Sequence, residues 1–129
     1  MDMNENTDPD INISVETAYI DEQSIPDQNR YVFAYTITIK NQARIAVKLL
    51  RRHWLITDAN NKLQEVRGDG VIGMQPHLLP DQSFTYTSGA ILETPLGCMQ
   101  GSYQMITDDG LEFDAPIPVF TLSSHVTMH

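Results

Sequence analysis

YVFAYTITIK, residues 31–40, is the stretch whose reading decides the fold. Tyr31, Phe33, Tyr35, Ile37 and Ile39 occupy alternate positions, with small or β-branched residues and one lysine between them. A side-chain period of two puts all five apolar groups on one face of an extended strand, whereas a helix would scatter them around its circumference. β-Branched and aromatic residues also pack well on a pleated surface. The segment is therefore a strand with one buried face.

The same pattern recurs on both sides. Ile11, Ile13, Val15, Thr17 and Tyr19 alternate with polar neighbours. The segment AVKLLRRHWLITD, residues 46–58, has Trp54 and Ile56 as an inward pair, with Arg51, His53 and Thr57 facing the other way. DANNK supplies turn chemistry, since Asn and Asp tolerate left-handed backbone angles, and KLQEVR returns as a hairpin partner. QSFTYTSG is a further strand, and GSYQMIT and LEFDAPI flank Asp109-Gly110, a tight-hairpin signal. No window keeps a helical period. Strands at this spacing predict an all-β antiparallel sandwich of roughly seven or eight strands. A Trp on the third strand, a Tyr on the penultimate one and no disulfide favour its fibronectin type III-like version over the immunoglobulin one. The expected core is Phe33, Tyr35, Ile37, Trp54, Ile56, Phe84, Tyr103 and Phe113.

At 129 residues the chain fits one domain, expected over residues 11–123 between flexible tails at 1–10 and 124–129. Cys98 is the only cysteine, and the polar, acidic start MDMNENTDPD lacks the basic and apolar regions of a signal peptide, so a cytoplasmic location is expected. No apolar run reaches membrane-helix length. The net charge of −9 argues against nucleic acid as a partner. Its distribution is uneven, however. All eight basic residues lie between Arg30 and Arg67 with only Asp58 and Glu65 among them, a window of +6, and the other fifteen acidic residues lie outside it. A molecule with a charge dipole is expected.

RGDGVIG, residues 67–73, carries the spacing of a dinucleotide fingerprint at Gly68, Gly70 and Gly73. That motif works by opening a helix whose N-terminus faces the pyrophosphate. Pro76 and Pro80 follow too soon for such a helix. Two readings remain: a backbone nest for phosphate or pyrophosphate, helped by Arg67 and by Arg51 and Arg52, or glycines serving only a turn. Arg67-Gly68-Asp69 also spells an integrin tripeptide, which requires export. His53, His77, His125 and His129 match no metal-ligand spacing, and Cys98 has no base nearby in sequence. No catalytic residue, metal site or cofactor is expected.

From about Ile11 to Ser123 the chain resembles the bacterial ApaG family. The resemblance rests on the run RHWLITDANNKLQEVRGDGVIGMQPHLLPDQSFTYTSG, residues 52–89, and on GSYQMITDDGLEFDAPIPVFTLS, residues 101–123. It implies a fibronectin type III-like sandwich and an association with cobalt and magnesium sensitivity. The family takes its name from genes beside a diadenosine tetraphosphate hydrolase. Similar domains in eukaryotic F-box proteins and in a polymerase delta-interacting protein imply an interaction or ligand-binding module. The family supplies no catalytic residues to carry over, and its glycine motif falls on Gly68, Gly70 and Gly73. The expected function is a non-enzymatic module for an unidentified protein partner. The alternative is a phosphate- or nucleotide-binding protein, or an enzyme acting on a phosphorylated ligand through Gly68 to Gly73.

Overall fold

Eight strands follow one another in the computed structural model, which describes residues 8–125. They are β1 (Ile11–Tyr19), β2 (Tyr31–Asn41), β3 (Val47–Asp58), β4 (Leu63–Asp69), β5 (His77–Leu78), β6 (Ser83–Leu92), β7 (Leu96–Thr107) and β8 (Glu112–Ser123). Among the described residues the only helical segments are two 3₁₀ turns, Asp21–Gln23 and Pro26–Gln28. All strand pairings are antiparallel. One sheet has the order β1-β2-β6; the other has β4-β3-β7-β8, with β5 paired to the start of β3. The two sheets face each other as an all-β sandwich. Of the flexible tails expected at residues 1–10 and 124–129, residues 1–7 and 126–129 lie outside the described residues. Next to them, Asp10 accepts a bond from Gln42 N–H and Ser124 N–H donates to Pro95 O, each 2.9 Å.

β2 behaves as its alternation requires: Phe33, Tyr35, Ile37 and Ile39 are buried, while Ala34, Thr36, Thr38 and Lys40 face outward. Opposite them stands Trp54 of β3, whose indole lies at centroid distances of 5.5 Å from Tyr35, 6.4 Å from Tyr103 and 5.9 Å from Phe120, each edge-on. Edge-on contacts match the ring's positive rim to a neighbour's negative face. Tyr86 of β6 and Tyr103 of β7 join their hydroxyls across the sandwich at 2.5 Å. Seven of the eight expected core residues are buried. Phe84 is the exception: it is only half-buried, at the end of β6, and Tyr86, two positions on, is buried instead.

β3 does not alternate evenly. Val47 and Leu49 point inward, and so do Arg52, Trp54 and Ile56, because a bulge between Leu49 and Arg51 shifts the register against β7. One extra residue reverses the parity of every side chain beyond it. The Leu50 carbonyl at the bulge accepts both Gly70 N–H at 2.8 Å and Gln75 Nε2 at 2.9 Å. The glycine loop is thus latched onto the kink in β3.

Candidate functional site

The β3 bulge decides which arginines meet. Arg51 and His53 emerge on the outer face of the five-stranded sheet, opposite Gln104 and Ser102 of β7, and Arg67 of β4 stands beside His53. These side chains, with Asp114 of β8, line an open concavity of about 490 Å³. Arg51 Nε donates to Gln104 Oε1 at 2.5 Å, and its guanidinium lies 3.6 Å from Glu112. Glu65 Oε2 lies 2.7 Å from His53 Nε2 and 3.2 Å from the Arg67 guanidinium. The hydrogen bond with His53, then the charge of Arg67, hold the Glu65 carboxyl below the usual carboxylate range. The surface is a polar mosaic of both signs carried on rigid strands, able to pair with carboxylate or phosphate groups and with donors at once.

Arg52 differs from Arg51 and Arg67 in what its side chain bonds. It too lines the concavity, but its guanidinium is engaged within the chain: it passes over Gly68 and donates to Asp69 O at 2.9 Å and Gly70 O at 3.0 Å. A Cβ on Gly68 would sit 2.7 Å from that guanidinium, so the first glycine makes room for the arginine. Gly70 and Gly73 adopt φ of +62° and +77°, and Val71 and Met74 exchange N–H···O bonds of 2.8 and 2.9 Å around the two-residue turn Ile72-Gly73. The N–H groups of Gly70, Val71 and Met74 are therefore bonded within the chain, and Arg67-Gly68-Asp69 belongs to strand β4. No α-helix follows the glycines.

The +6 window is also divided by the fold. Lys40 stands on the outer face of the three-stranded sheet and Arg51 and Arg67 on that of the other, while Lys62 pairs with Glu93 at 2.6 Å. Lys40 is thereby parted from Arg51 and Arg67, because β2 and β3 are neighbours in sequence but belong to opposite sheets. His77 pairs with Asp108 at 2.8 Å, and Cys98 is half-buried in β7. Among the described residues no three His, Cys, Asp or Glu side chains are grouped as metal ligands, and no helix is long and apolar enough to cross a membrane. Ser102, Gln104 and Asp114 were outside the sequence reading. Register on β7 and β8 is what brings them to Arg51, and a single strand's alternation carries no such signal.

The fold is a two-sheet antiparallel β-sandwich with a polar concavity on one outer face. The chain belongs to the ApaG family: the model of the ApaG domain matches residues 21–107. It is 59% identical over 119 residues to Protein ApaG of Thiobacillus denitrificans, covering 92% of this chain and 94% of that one. To Protein ApaG of Pseudomonas aeruginosa it is 52% identical over 123 residues, 95% and 98% of the two chains. The crystal structure of the putative ApaA protein from Bordetella pertussis superposes with a TM-score of 0.87 at 46% identity, covering 89% of this chain and 94% of that one.

Proposed function

We propose that the chain is a non-enzymatic interaction module that holds a protein partner on the outer face of the five-stranded sheet. The observation that carries this reading is the concavity of Arg51, His53, Arg67, Ser102, Gln104 and Asp114, built on strands and not on loops. Rigid placement lowers the ordering cost of binding. Arginines interleaved with Glu65, Glu112 and Asp114 favour a partner surface of mixed charge over a polyanion such as nucleic acid. The strand order, with Tyr103 on the penultimate strand, supports a fibronectin type III-like scaffold. A cytoplasmic site of action fits a half-buried free thiol at Cys98. The association with cobalt and magnesium sensitivity then runs through the partner.

Capture of partners from a cytosolic extract, with wild-type protein and with an Arg51→Glu/Arg67→Glu variant, tests this. One partner retained by the wild type and lost by the folded double variant is expected. Equal capture by both places the binding face elsewhere.

The second reading is a phosphorylated ligand, favoured by the convergence of Arg51 and Arg67 with the Ser102 and Gln104 side chains. Titrating labelled protein with pyrophosphate, with and without magnesium or cobalt, should then shift the amides of Arg51, Arg67 and Ser102, and the shifts should fade with added salt. Hydrolysis of diadenosine tetraphosphate that purifies with the chain and vanishes on Arg67→Ala would instead establish an enzyme.

A further inference from the structure

Arg51 and Arg67 each stand beside a carboxylate, Glu112 and Glu65 respectively. Arg52 does not. Its Nη1 donates to Asp69 O and Gly70 O, and among the described residues its Nε and Nη2 make no bond within the chain. The chain carries 17 acidic residues, so no shortage of carboxylates explains this. Besides the outer concavity, Arg52 lines a second hollow, of about 210 Å³, between the two sheets and beside the glycine loop. Tyr35, Tyr86 and Ser88 of the three-stranded sheet, Trp54 of the five-stranded sheet and Ile72 of the loop wall it. Among the described residues no acidic side chain lines it, and Arg52 is the one residue that it shares with the outer concavity.

The hydroxyls of this wall are donors for which the chain supplies no acceptor. Tyr103 is fully buried, and among the described residues its hydroxyl bonds only that of Tyr86, at 2.5 Å. A buried donor left without an acceptor is costly, so Tyr103 donates and the Tyr86 oxygen accepts. Tyr86 therefore keeps its own O–H for the hollow. Tyr35 is 6% exposed and Ser88 half-buried, and among the described residues neither hydroxyl bonds within the chain. Burial raises the Tyr86 hydroxyl, and Tyr35 and Arg52 both act on it electrostatically, so the polar ends of these side chains lie close together.

We propose that this hollow is a binding site for a carboxylate group, held by the unused nitrogens of Arg52 and by the hydroxyls of Tyr35, Tyr86 and Ser88. A guanidinium matches a carboxylate fork to fork, and hydroxyl donors satisfy the lone pairs that remain. Charge selects the class of anion. One guanidinium balances one carboxylate, whereas a phosphate brings about two negative charges to a hollow with a single cation, since Arg51 and Arg67 line only the outer concavity. The apolar remainder of the ligand meets the Trp54 ring and Ile72. A small free acid and the C-terminus of another chain present the same head group, and the volume admits either.

Trp54 is the only tryptophan of the chain and lines the hollow, so its fluorescence reads binding directly. The full chain is titrated at constant ionic strength with acetate, propionate, N-acetyl-alanyl-alanine, the C-terminal amide of that peptide, and inorganic phosphate. A saturable change with Kd on the order of 1 mM is expected for the carboxylates and none for the amide. Tighter binding of acetate and propionate identifies a free acid as the source; tighter binding of the peptide acid identifies a chain terminus. Amide shifts of labelled protein should centre on Tyr35, Ile72 and Ser88. Tyr35→Phe keeps the ring against Trp54 and Phe120, loses only the hydroxyl, and should weaken binding about fivefold. Arg52→Met should weaken it about tenfold or more. Lys40→Met, on the outer face of the three-stranded sheet, should leave it unchanged. The Tyr35→Phe comparison stands even if Arg52→Met loosens the loop. A response that never saturates overturns the proposal, as does phosphate binding tighter than the carboxylates. So do shifts centred on Ser102 and Gln104, or an affinity unchanged by either variant of the hollow.

Discussion

Replacing Arg52 by Met separates a structural task from a ligand-binding one. Methionine keeps the unbranched apolar stem and removes the guanidinium that lies over Gly68, and with it the bonds to Asp69 O and Gly70 O. Hydrogen bonds from a charged donor contribute about 1.5–3 kcal/mol each. One of these two is exposed and the other half-buried, so water replaces much of both, and a net loss of about 2 kcal/mol is expected. For a domain of this size that lowers Tm by roughly 6–10 °C. Arg67→Met is the companion: its partner Glu65 is half-exposed and Arg67 itself is 70% exposed, so solvent screens the pair and its loss should leave the midpoint almost unchanged. Urea titration of the two variants gives the difference, and amide exchange gives its location, which should be Gly70 to Met74 in the Arg52 variant alone. Equal midpoints for the two variants, with unchanged exchange in the loop, would refute the assignment of Arg52 to the fold.

Trp54→Ala should cost about 4–5 kcal/mol, the upper part of the range for a buried aromatic, because the indole loses three edge-on partners; an unchanged thermal midpoint refutes the core assignment. Gly70→Ala should destabilise by about 2–4 kcal/mol, since it combines a left-handed φ with a Cβ only 2.2 Å from Met74 O, whereas Gly73→Ala meets open space and should cost about 1 kcal/mol; similar denaturation midpoints for the two would show that the loop yields freely. Burial pushes the Tyr86 hydroxyl up to about 12 from its ordinary 10.0, and burial raises its partner Tyr103 as well. Between those values the unfolded chain releases the Tyr86 proton before the folded one does, so stability is complete below pH 10 and falls as pH rises towards 12, by roughly 2–3 kcal/mol. Denaturant curves on wild type and Tyr86→Phe check this, the variant showing the shallower alkaline decline.

The sequence by itself determined the strands, their buried faces and most of the core. A period of two is a local property: Phe33, Tyr35, Ile37 and Trp54 declare which way they point without reference to any other strand. It also placed the turns at Asn61 and Gly110, whose φ of 63° and 95° lie in the region their types favour. The glycine motif was legible as a loop without a following helix, because Pro76 forbids one. Other features were not local. One extra residue at Leu50 reverses the parity of β3, and only pairing with β7 reveals it. That bulge turns Arg52 inward, away from Arg51, and sends it to the loop carbonyls. Buried Asn41 shows the same limit: its side chain bonds Ile45 O, Leu78 O and Ala43 N–H, and the bond to Leu78 reaches a segment 37 residues away. Strand order set the remaining terms. It parted the basic window between opposite sheets, gathered Ser102, Gln104 and Asp114 around Arg51, and left uncharged β6 at an edge. Alternation fixes the face of a residue, whereas its neighbours depend on which strands pair, and that is settled only when the whole chain packs.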